Sequence, residues 1–173
     1  MTMRPILLNT CARAATTAEA RFRIDAPIRP SRATRVVALD EGADLVVRRI
    51  AERPWAGARF FTCRPPAPAP IGPGHGDVAD IVLRSTDGSD SWLSAELDGA
   101  DIAVMVATAN DGARAASAIG DACTLRGIMT AGVVLADRGD TGAATAALRP
   151  HARVLIVTHD ELDVSEVLAA LRA

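Results

Sequence analysis

No lysine and no tyrosine occur in this chain, so all nineteen basic side chains are arginine. That excludes a P-loop lysine, a Schiff-base lysine and a Tyr/Lys catalytic pair. Aromatic residues make up only 3% of the sequence and the formal net charge is −2. Neither a stacking platform nor a basic footprint for nucleic acid is present, and no nucleic-acid partner is expected. Cysteine is sparse and odd in number: Cys11, Cys63 and Cys123. No Cys-x-x-Cys pair exists, which argues against a disulfide framework or a zinc site, and no metal is expected. Free thiols suit a reducing, cytoplasmic setting. Long apolar runs are also missing. None approaches the ~20 residues that cross a bilayer, and the patch in Met1–Leu8 is too short for a secretory h-region. No membrane partner is expected.

What is present is a hydrophobic share of 49% in 173 residues, enough for one domain with a real core. Residues 1–33 stand apart, with six arginines against Glu19 and Asp25. Arg21-Phe22-Arg23-Ile24-Asp25-Ala26 alternates like an edge strand. We read residues 1–33 as a basic arm that packs on the core or on a neighbouring subunit, and expect a homodimer.

Residues 34–173 read as a Rossmann-like α/β domain. Val36-Val37-Ala38-Leu39 is a short apolar run, typical of a strand buried on both faces. Ala43 to Arg53 has helical spacing, with Leu45, Val46 and Ile50 as its apolar positions. Arg59–Thr62 is a second strand. Arg64–Gly76 holds five prolines, which forbid a helix or central strand and predict an extended loop. Val78–Leu83 is expected as a third strand and Ser91–Leu97 as a short helix. Strands at 101–107, 129–135 and 154–157 then alternate with helices at 113–125, 141–148 and 164–171. Such alternation implies a three-layer, mostly parallel sheet with right-handed crossovers.

Ligands of open parallel sheets sit beyond the carboxyl ends of the strands. The residues expected there are Asp40, Glu41, Gly42, Cys63, Arg64, Thr108, Asn110, Asp111, Gly112 and His159. His75, between two glycines on the proline-rich loop, is a candidate lid. A phosphate site needs glycine at the first turn and free N–H groups at the following helix start. Here Asp40 and Glu41 occupy that turn, and two carboxylates at ~4 Å repel by about 4 kcal/mol at an effective dielectric near 20. The plain alternative is that Asp111, Asp140 and Asp163 cap or complement helix starts; the Asp40/Glu41 pair is less easily explained so, because one cap needs only one acid. As metal ligands, Asp40 and Glu41 would need oxygen partners such as Asp111 or Asp137. Trp55 and Trp92 are expected at core edges, and His151 at a helix C-terminus.

One family resemblance follows from Gly99-Ala100-Asp101-Ile102, from Gly127-Ile128-Met129-Thr130-Ala131-Gly132 and from His151–Asp160. Residues 97–160 resemble the nucleotide-binding domain of the tubulin-like, FtsZ-like division GTPases. The resemblance implies the sheet order 3-2-1-4-5-6 and a nucleotide-related ancestry. It does not extend to that family's glycine-rich phosphate loop, which is Ala109-Asn110-Asp111-Gly112-Ala113-Arg114 here. Two functions are therefore expected. One is binding of a small molecule or nucleotide-derived ligand at the carboxyl edge, of no assigned cofactor class and with no working GTPase site. The other is a non-catalytic oligomeric or protein-interaction module. No complete acid/base or nucleophile constellation is evident.

Overall fold

The computed structural model describes residues 32–64, 81–136 and 139–173. The arm up to residue 31, the candidate lid His75, Cys11 and Asp137 lie outside the described residues. Among the described residues seven strands form one sheet: β1 (Thr34–Ala38), β2 (Ala58–Arg64), β3 (Val82–Ser85), β4 (Asp90–Trp92), β5 (Ile102–Ala107), β6 (Met129–Leu135) and β7 (Val154–Thr158). Their order is β4-β3-β2-β1-β5-β6-β7. Five helices among the described residues cover it: α1 (Glu41–Ala51), α2 (Leu93–Leu97), α3 (Ala113–Arg126), α4 (Gly142–Leu148) and α5 (Leu162–Leu171).

The expected α/β, three-layer architecture is present. Helices α1 and α5 cover one face through Val46, Val47, Ile50, Val164 and Leu168. Helices α2, α3 and α4 cover the other through Leu93, Leu97, Ile119, Cys123 and Leu148. Every residue of β5 is buried, as a strand covered on both faces requires. Burying each large side chain of that layer contributes about 1.5–3 kcal/mol before chain entropy is set against it.

The order differs from expectation at one margin. β2 pairs with β3, and β3 with β4, in antiparallel sense. A parallel neighbour needs a crossover, usually helical, whereas an antiparallel one can follow a simple return of the chain. The additional strand β4 comes from a hairpin. Asp87 accepts from Ser89 N at 2.8 Å and Ser89 Oγ at 2.6 Å, and Gly88 takes φ +89°. The Asp87-Gly88 dipeptide is a strong hairpin signal in the sequence. Two side chains also differ from expectation. Leu45 is 53% exposed, its core position being taken by Val47, and Trp92 is 54% exposed. Trp55 does sit at a core edge, donating to the Ile50 carbonyl at 2.9 Å and tilted against Phe60.

Glycine lets α3 start against the end of β1. A Cβ on Gly112 would lie 2.4 Å from Leu39 Cβ and 2.8 Å from its carbonyl oxygen. Gly112→Ala is therefore expected to lower the unfolding free energy by about 1–3 kcal/mol. Gly139→Ala, which meets nothing within 4 Å, should change it by only a few tenths of a kcal/mol. Urea denaturation of both variants checks this; equal stabilities would contradict the packing.

Candidate functional site

β1 lies between β2 and β5 in the sheet, both parallel to it. The chain leaves β1 toward one side and β5 toward the other, so the sheet's switch point falls between their carboxyl ends. Asp40 and Thr108 stand at the two lips of this crevice.

Asp40 is the N-cap of α1, accepting from Ala43 N–H at 2.9 Å. The same carboxylate reaches across to the tip of β5. It accepts from Thr108 N–H at 2.7 Å, Thr108 Oγ1 at 2.5 Å and Ala109 N–H at 3.1 Å. Four donors thus converge on one side chain. They are three backbone N–H groups and a hydroxyl, the donor set that an anionic ligand would meet at a helix start. Gly42 serves the same closure, since a Cβ there would lie 2.2 Å from Thr108 Oγ1. The glycine of the first turn thus admits the protein's own threonine.

Asn110 is engaged in the same manner. Its Oδ1 accepts from Ala143 N–H at 2.7 Å and Ala144 N–H at 3.1 Å, capping α4 from a distant loop. Asp140 Oδ1 accepts from Gly142 N–H at 2.9 Å, so α4 begins between two polar side chains. The capping expected of Asp140 is present. Asp163 differs: its carboxylate accepts from the Thr158 hydroxyl, joining α5 to the end of β7. Asp44 pairs with the Thr62 hydroxyl and with Arg48 Nε at 2.8 Å.

The other candidates do not gather around Asp40. Glu41 and Asp111 are exposed. Arg64 is exposed and lies 3.8 Å from Asp90 on β4. His159 is exposed at the end of β7, the outer edge of the sheet. Cys63 is buried, and desolvation pushes its thiol up to about 11. It therefore stays protonated at neutral pH, the opposite of an activated nucleophile. His151 is packed over α3 instead of simply closing a helix: a Cβ on Gly120 would lie 2.3 Å from its ring. Its Nε2 is 3.9 Å from Asp121 Oδ1. Among the described residues no group of three or more His, Cys, Asp or Glu is placed to hold a metal ion.

One charged cluster was not anticipated. Glu96 of α2 is buried under the amino ends of β1 and β2. Arg35 Nε donates to its carbonyl oxygen at 2.8 Å and stands 3.4 Å from its Oε2. Arg59, register partner of Arg35, brings Nη1 to 2.8 Å from the same oxygen, off the line a hydrogen bond needs. Its guanidinium also lies 5.3 Å from the Phe61 ring centre. Burial lowers the Arg35 pKa, and Glu96 acts against that shift. Sequence periodicity places Glu96 on a short helix but not beside two arginines from strands far upstream.

Two outcomes test this geometry. Asp40→Gly strands three backbone donors and should cost about 3 kcal/mol or more. Asp40→Asn, which keeps one acceptor oxygen, should fall between Asp40→Gly and the parent. Formate should restore part of the Asp40→Gly melting temperature and leave the parent unchanged; equal stability of all three proteins would refute the clamp. For the thiol, peptide mapping after alkylation at pH 8 should find Cys63 unmodified in the native protein and modified after unfolding in urea. Rapid native labelling would contradict its burial.

No protein-family model matches this chain, and a search of curated proteins finds no relative.

Proposed function

We propose that this chain is a non-catalytic protein-interaction module on a Rossmann-like scaffold, with no ligand held at the switch-point crevice. The observation that supports this most is the Asp40 carboxylate. It accepts from Ala43, Thr108 and Ala109 N–H groups and from the Thr108 hydroxyl, as a bound anion would. An external phosphate or carboxylate would have to displace a covalently tethered one, against four hydrogen bonds and its charge. In this reading the resemblance of residues 97–160 to the FtsZ-like GTPases is one of scaffold. The reading also places the protein in a reducing cytosol, in keeping with the unpaired thiols of Cys63 and Cys123.

The alternative expectation, a small molecule at the carboxyl edge, makes the opposite demand on the same atoms. A thermal-shift and calorimetric panel of GTP, ATP and NAD separates the two. No change in melting temperature is expected at millimolar ligand. Binding of any of these at micromolar affinity to the parent protein, tightened in Asp40→Gly where the competing carboxylate is gone, would overturn the interaction reading and return the crevice to a ligand.

A further inference from the structure

The two edges of the sheet are built differently. Natural proteins blunt exposed edges with short strands and charged side chains, because unpaired N–H and C=O groups recruit other strands. β4 follows that rule: it has three residues, begins with Asp90, and Arg84 of the neighbouring strand grips that carboxylate at 2.8 Å and 3.1 Å. β7 does not follow it. Its five residues, Val-Leu-Ile-Val-Thr, contain no charge and no proline. It pairs with β6 on one side, and among the described residues β6 is its one partner strand. Val154 is 44% and Val157 53% exposed. Beside Val157 an open groove of about 600 Å³ is lined by Gly142, Thr145, Ala146, Arg149 and Pro150.

We infer that β7 is the seat of a homotypic interface, in which a second copy of this chain adds its own β7 antiparallel about a two-fold axis. This rests on the interaction-module reading and names the partner. Charge favours a second copy in that orientation. β7 is preceded by exposed Arg153 and followed by exposed Asp160. Antiparallel pairing brings the basic start of each strand to the acidic end of the other, whereas parallel pairing would set like charges side by side.

Symmetry fixes the register further. Antiparallel ladders alternate two kinds of residue pair, so an exact two-fold requires one residue to face its own copy. Centring on Ile156, the middle of β7, pairs all five residues. Val154 then faces Thr158, Leu155 faces Val157, and Arg153 faces His159 with Asp160 one step beyond. Val157 and Leu155 meet across the axis on the side that carries the groove. A strand alone is too small for a stable interface of ~800 Å² per partner. Thr145, Ala146 and Arg149 along the groove supply the additional contact.

Sedimentation equilibrium of the full chain should give twice the mass of one chain. Val157→Lys, at a half-exposed position, should shift it to monomer with an unchanged urea midpoint. Arg153→Glu and Asp160→Arg should each weaken the dimer about tenfold, and the double variant should restore it. Asp160 Oδ1 also accepts from Leu162 N–H at 2.8 Å, a contact that Arg153→Glu does not return, so recovery of the dimer in the double variant reports the charge pairing itself and holds even if Val157→Lys proves unstable. A monomeric parent protein, or a dimer indifferent to Val157→Lys and to both charge reversals, overturns the second-copy assignment. A monomer that also binds no nucleotide overturns this assignment alone, whereas nucleotide binding in the crevice overturns the interaction reading beneath it.

Discussion

The carboxylate of Asp40 ties together the two halves of the sheet at the point where they diverge. In an open parallel sheet the helices after β1 and β5 leave on opposite faces, and the strand tips between them expose N–H groups with no ladder partner. Something must satisfy those donors, since an unpaired buried N–H costs about 1–3 kcal/mol. Here one side chain accepts from α1 and from the tip of β5 together. Gly42 and Gly112 then pack where they do because the lips have closed: one against Thr108, the other against Leu39. Asn110 extends the closure to α4. The same donors that make such crevices good anion sites are thus turned to internal cohesion.

Closure at the centre changes where the surface has unmet demands. The carboxyl edge keeps exposed acids, Glu41, Asp111 and Asp160, while the strand beyond β6 keeps exposed valines and, among the described residues, an outer side with no partner strand. The opposite margin is protected by a short hairpin with a bidentate Arg84–Asp90 pair. An uneven treatment of two edges in one sheet points to use of the undefended one.

Much of the fold was legible because it depends on patterns local in sequence. The apolar runs at 36–39, 102–107 and 129–135 are too short for helices and too continuous for half-buried strands, so a two-sided sheet followed. The Asp87-Gly88 turn is equally legible but lies between the strand expected at 78–83 and the helix expected at 91–97, so the residues after it read as helix and not as a returning strand. Residues of the candidate site were less legible for a physical reason. Asp40 looks the same in sequence whether it faces a ligand or a neighbouring loop, and its partners Thr108 and Ala109 lie 68 and 69 positions away. The same holds for Asn110, which caps a helix 33 positions downstream, and for Glu96 between Arg35 and Arg59. The pattern puts Cys63 at a strand tip, but only the packing around it buries its thiol.

Closure of the crevice by Asp40 is read out by native-state hydrogen exchange at the amides of Thr108 and Ala109. These two loop amides should exchange as slowly as those of Val104 and Val106, through global unfolding, and Asp40→Asn should speed both selectively. Exchange of Thr108 and Ala109 at the rate of unprotected amides in the parent protein would contradict it, because the donors would then be open to water and to a ligand.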